Sequence, residues 1–169
     1  ALPIYTGFNR NYGQNPYAGY DDINQRPFLF DGEYNDKLPP MARVLTIELN
    51  GETVAYPYQT LEEAGVINDK VGGEEITVFW TEGTASALDE GLIELGRDVG
   101  SAVAYSSQGH TFFAKDGFIF DEATGGSWSI FGEAVEGELA GESLSPVVAV
   151  NHFWFSWAAF KPETRVYQP

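Results

Sequence analysis

The chain has 169 residues, 43% of them hydrophobic and 15% aromatic, a composition that predicts one folded domain with a single core and excludes a disordered body. Its 25 acidic residues against 9 basic ones leave a net charge of −16, which makes nucleic acid and anionic membrane surfaces poor partners and favours solubility. The absence of cysteine removes disulfides, thiolate nucleophiles and cysteine-bound metals, and no apolar run reaches the roughly 18 residues of a membrane span.

The first residue is Ala1 and not Met, which fits a mature form left by signal-peptide cleavage; an extracellular or cell-envelope location is the expectation. Residues 1–34, "ALPIYTGFNRNYGQNPYAGYDDINQRPFLFDGEY", are dense in Gly, Asn, Pro and Tyr. Pro3, Pro16 and Pro27 forbid a long helix there, so the segment reads as an extended aromatic arm. Its aromatic residues, Tyr5, Phe8, Tyr12, Tyr17 and Tyr20 among them, must be covered by their own domain, the preferred reading, or by a neighbouring subunit. In "DGEYND", Asp31, Glu33, Asn35 and Asp36 have the alternation of a calcium loop but not its central glycine or distal Glu, and a solvated turn is expected.

From Arg43 the pattern is β. Residues 43–49 and 52–56 flank Asn50-Gly51 and predict a hairpin. "QTLEEAGVIND" predicts one or two helical turns capped by Thr60 and stopped by Gly65, and "EEITVFW" a central strand. "TEGTASALDEGLIELGRDVG" reads as loop with a short helix. "SAVAYSS", "HTFFAKD", "GFIFDEA" and "SWSIFG", evenly spaced by Gly-containing turns, predict an antiparallel meander, and "ELAGESLSPVVAV" one or two further strands. In "NHFWFSWAAFKPE", Phe153, Trp157 and Phe160 recur at helical spacing, with Asn151 as cap and Pro162 as stop, before a last strand "TRVYQ". The fold class is therefore mainly β (α+β). Residues 35–169 are expected to form a single compact domain of antiparallel strands and hairpins, with one or two short helices beside the arm of 1–34.

The ordered set "VAYP", "GVINDKVGGEEITVFW", "GTASALD", "FDEATGGSWSIFGEAVEGELAGESLSPV" and a Trp-bearing helix followed by "PETRVY" resembles the domain of unknown function 3179 family over roughly residues 20–168. The resemblance implies a compact, secreted or envelope-associated domain and no established activity. Many members carry Cys-x-x-Cys where this chain reads "FWTEGTASALD", with Phe79 and Glu82 at the cysteine positions. Metal or redox chemistry resting on that pair is therefore lost here.

The candidate chemistry is sparse. In "TGGSW", a tight turn followed by a strand with Trp128 facing the core is preferred over a pocket lined by Ser127 and Trp128. Thr84, Ser86 and Asp89 offer hydroxyls and a carboxylate without the Gly-x-Ser-x-Gly pattern of a nucleophile elbow. His152 is expected to be a capping or partly buried residue and His110 an exposed one; neither has metal-ligand spacing, so no metal or cofactor is expected. "EGELAGE" reads as a solvated acidic edge. Three functions compete. The preferred one is a non-catalytic extracellular protein that binds or self-associates through the arm, as a homo-oligomer or filament subunit. The second is a carbohydrate or small-ligand binder using Trp80, Trp128 or Trp154 as platforms. The third is a hydrolase using Ser86 or Thr84 with a histidine base.

Overall fold

The computed structural model describes residues 22, 23, 25–27, 30–83 and 98–169. Strand β1 (Arg43–Leu49) turns at Asn50-Gly51 into β2 (Glu52–Pro57), both turn residues having positive φ as a type I′ hairpin requires. Helix α1 (Tyr58–Ala64) follows directly from Pro57, whose extended backbone places the helix start two residues before the expected Thr60 cap; Gly65 stops it. Then come β3 (Val66–Val71), β4 (Glu74–Thr81), β5 (Ser101–Ser106), β6 (Phe112–Lys115), β7 (Phe118–Asp121), β8 (Ser127–Trp128) and β9 (Ala134–Glu136). The chain ends with β10 (Pro146–Val147), β11 (Ala149–Phe153), α2 (Trp154–Ala158) and β12 (Arg165–Val166).

These strands form three sheets, ordered β11-β1-β2-β12, β10-β5-β4-β3 and β6-β7-β8-β9. All pairs are antiparallel except β12 with β2. The pleat explains how the sheets stack, because successive side chains of a strand face opposite ways. On β1, Leu45 and Ile47 point with Val54 and Tyr56 of β2 into a core shared with Ile67, Ile76 and Val78 of the second sheet. Val44 and Ala55 point the other way, onto Trp154 and Ala158 of α2. The second sheet sends Val66, Phe79 and Tyr105 from its far face onto Phe112, Ile119 and Trp128 of the third. From one side to the other the order is therefore α2, first sheet, central sheet, meander. With both faces covered, β4 buries four consecutive residues, Ile76 to Phe79.

Three expectations need correction. The strand of "SAVAYSS" is β5 of the central sheet and not the first strand of the meander, which comprises β6 to β9. Asn151 lies within β11 opposite Leu45, so it is no helix cap; α2 begins at Trp154 after Phe153. Helix α2 ends at Ala158, leaving Phe160 85% exposed instead of on a core face.

Candidate functional site

Among the described residues, the block 121–144 holds a dense set of polar contacts centred on Asp121. Asp121 closes β7 with its side chain fully buried. Its carboxylate accepts from the Thr124 amide at 2.7 Å, the Thr124 hydroxyl at 2.8 Å, the Gly126 amide at 3.1 Å and the Trp128 indole N–H at 3.3 Å. Burial alone would raise its pKa; the hydrogen bonds from Thr124, Trp128 and Gly126 outweigh it and hold the carboxyl below the ordinary carboxylate value. Backbone bonds from Asp121 N–H to Gly126 O and from Gly125 N–H to Asp121 O close the same loop. Gly126 is buried against it: a Cβ there would stand 2.6 Å from the Glu136 carbonyl oxygen. The carboxylate is consumed in folding its own turn and has no open side for a ligand.

The rest of the block is similarly self-satisfied. Ala134 N–H donates to Glu142 O, Gly141 N–H to Ala134 O and Leu144 N–H to Gly132 O, while the Tyr105 hydroxyl ties the block to the central sheet through Ile130 O at 2.8 Å. The acidic "EGELAGE" run folds back in this closed loop, with Glu136, Glu138 and Glu142 exposed.

Trp128 is 5% exposed and its ring meets Phe112 edge to face at 5.2 Å, so its faces are covered by the core. Ser127 points to the opposite side of β8, half-buried beside Phe120 and Glu136. Neighbours that alternate across a strand do not line one pocket together. His152 lies two layers away on the first sheet, its ring tilted by 35° against that of Trp157 at 4.9 Å between centroids; its burial pushes its pKa below the usual imidazole value. His110, expected to be exposed, is half-buried between Phe112 and Trp128, with Nε2 3.9 Å from Glu142. The two histidines are thus held in separate layers. Thr84, Ser86 and Asp89 lie outside the described residues, as do the arm residues Tyr5, Phe8, Tyr12, Tyr17 and Tyr20.

Of the tryptophans proposed as platforms, Trp154 is fully buried and donates to Asn35 O, while Trp80 is half-buried. Asn35 is a structural tie: its Nδ2 donates to Pro162 O, its Oδ1 accepts from Lys37 N–H, and the Lys37 ammonium reaches Pro162 O and Thr164 O. Among the described residues no group of three or more His, Asp or Glu side chains is placed to hold a metal ion, and no described helix is long and apolar enough to cross a membrane.

Two clefts share Arg43 and Tyr58. The larger, of about 480 Å³, is lined mainly by apolar groups such as Leu38, Pro39 and Met41. The smaller, of about 210 Å³, is bounded by Arg43, Tyr58, Asn151, His152 and Phe153, with the Tyr58 hydroxyl donating to Asn151 Oδ1 at 2.7 Å. Sequence reasoning named neither Asp121 nor this cleft. An Asp followed by Thr and two glycines was the available signal for the first; the second depends on β11 meeting β1 across the chain.

No curated protein and no solved structure matches the chain. The family model described as "Protein of unknown function (DUF3179)" matches residues 2–164, a span that takes in all but the first residue of the segment 1–34, and the chain belongs to that family.

Proposed function

We propose that this is a non-catalytic extracellular or cell-envelope protein that acts by binding its own kind, Tyr5, Phe8, Tyr12, Tyr17 and Tyr20 of its N-terminal aromatic arm meeting a neighbouring copy to build an oligomer or filament. The observation that carries this reading is the placement of large apolar side chains on a strongly acidic body. Phe118, Phe131, Val148 and Phe160 are between 65% and 85% exposed, while the conspicuous polar groups of the signature block are turned inward. Exposed apolar groups mark contact surfaces where they lie together, as Val148 and Val150, 82% and 48% exposed, do at the start of β11. A head-to-tail contact between two different surfaces of one chain propagates without closing.

Light scattering tests the reading. The unaltered protein is expected to form assemblies that a variant with Tyr5, Phe8, Tyr12, Tyr17 and Tyr20 all replaced by Ser does not form, while both show the same thermal transition. An unaltered protein that stays monomeric at every concentration would remove the proposal.

A second reading is supported by a separate observation. On the outward face of the meander Phe113 and Phe120 stack with 26° between ring planes and 5.6 Å between centroids, and Ser127 sits beside Phe120. Such a pair is a platform for a sugar ring, with the hydroxyl as a polar contact, in place of the buried Trp128 and Trp154. Titration of the protein with a panel of oligosaccharides, followed by the ring signals of Phe113 and Phe120, tests it; signals that do not move would end it.

A further inference from the structure

The outward face of the meander carries a row of side chains that crosses all of its strands. Phe113 of β6 pairs with Phe120 of β7, Phe120 with Ser127 of β8, and Ser127 with Glu136 of β9. Direct cross-strand partners share a face, and Ile119, Trp128 and Ala134 turn to the opposite one, into the core. The last place in the row depends on a register shift. Regular pairing beside Trp128 and Ala134 would set Val135 opposite Ser127; the bulge between Ser127 and Trp128 takes Val135 out of register and puts Glu136 there instead. The strand is thus re-aimed so that the row ends on a carboxylate and not on an apolar side chain.

The row has the form of a trough. Phe113 covers one face of the Phe120 ring, 5.6 Å away between centroids, which turns the other face toward β8. There the row drops to the short Ser127 before rising to Glu136, two strand spacings or about 10 Å from Phe120. A sugar ring packed on Phe120 at about 4 Å lies over Ser127 and within reach of Glu136. Among the described residues the Ser127 hydroxyl and the Glu136 carboxylate have no hydrogen-bond or ion-pair partner. Charge decides which sugar suits the trough. The one cation of residues 112–136, Lys115, stands opposite Phe118, three strands from Glu136, in a chain of net charge −16. An acidic sugar is repelled here, and a cationic one is drawn to the β9 end. The Phe120 ring favours the same cation, because the face of an aromatic ring is the negative part of its quadrupole.

Resting on the sugar-platform reading above, we infer that the meander face selects an amino sugar, whose ring lies on Phe120 over Ser127 and whose ammonium group pairs with the Glu136 carboxylate.

The test titrates the full-length protein with a glucosamine tetramer and with its fully N-acetylated form, followed by the NMR ring signals of Phe113 and Phe120. Mildly acidic pH keeps the sugar amines charged, and salt at about 0.15 M largely screens charges more than about 8 Å apart. The glucosamine tetramer is expected to move both ring signals and to bind about three- to fivefold more tightly than the acetylated one, the upper range for an exposed ion pair. Glu136→Gln is expected to remove that margin. Glu75→Gln, which takes the same charge from an exposed position on the central sheet, is expected to keep it. Equal affinity for the two tetramers, with ring signals that move, would overturn the choice of an amino sugar and leave the platform standing; this comparison needs no variant. A margin kept by Glu136→Gln, or lost as much in Glu75→Gln, would overturn it too, since the preference would then come from the overall charge of the chain. Ring signals unmoved by either tetramer would end the platform reading and the inference with it.

Discussion

The block around Asp121 and the edge at β11 are opposites in how they spend their polar groups. In the first, a buried carboxylate satisfies two backbone amides, a hydroxyl and an indole within eight residues of chain, so the most conspicuous part of the sequence is closed upon itself. In the second, an uncharged strand keeps one side bonded to β1 and presents the other without a strand partner among the described residues. Local density of polar and glycine residues is thus a sign of a difficult turn, and surface chemistry has to be sought where the sequence is plain.

The largest effect expected from testing this contrast belongs to Asp121→Ala. It leaves the buried Trp128 indole N–H without an acceptor and the Gly126 amide with the Thr124 hydroxyl oxygen alone, and a loss of about 2–4 kcal/mol in chemical denaturation follows from the lost bonds to the carboxylate and the desolvation of the orphaned donor. A loss under about 1 kcal/mol would mean that the loop finds other partners. Next comes Gly126→Ala, where the added methyl meets the Glu136 carbonyl at 2.6 Å; overpacking of this kind costs about 1–3 kcal/mol. Differential scanning calorimetry would register it, and an unchanged transition would show that β9 can move aside.

The dependence of stability on pH is a subtler probe of the same carboxylate. Its folded pKa lies below its unfolded value of about 3.9, so unfolding takes up a proton between the two. The stability it contributes is complete above the unfolded value and is lost as pH falls through the folded one. Glu52, held down by the Gly72 amide and by Arg165, acts in the same sense. The variant Asp121→Asn is expected to start less stable and to lose less between neutral and strongly acidic pH, as urea denaturation at a series of pH values would show; parallel curves would contradict the assignment. The smallest effect on folding is expected at the edge. Val148→Lys/Val150→Lys should change stability by no more than about 0.5 kcal/mol, since exposed substitutions do little. A large destabilisation would show that these valines are part of the core and not of a contact surface.

Much of the local structure was legible in the sequence. Asn50-Gly51 between alternating apolar residues specified the first hairpin, and Gly65 the end of α1. The meander strands β6 to β8 were readable from their glycine turns. Pairings across long separations were not. β5 joins β4 across residues 82–100, β11 joins β1 and β12 runs parallel to β2, and nothing in the spacing of apolar residues encodes such partners. Asn151 illustrates the limit: preceding a run of aromatic residues it resembles a helix cap, yet pairing with Leu45 keeps it extended. For the site, Ser127 and Trp128 drew notice because they are unusual residues after glycines, whereas Asp121, which organises them, is distinguished only by the four donors the fold brings to it.

The central claim is that the N-terminal arm of one copy joins it to the next. A synthetic peptide of residues 1–20, added in molar excess to the full-length protein, tests it most directly by light scattering with a scrambled peptide as control. The authentic peptide is expected to compete with the arm, stop propagation and lower the mean mass toward that of a monomer while the scrambled one does not. A mean mass unaffected by the authentic peptide, in a protein that does assemble, would contradict it.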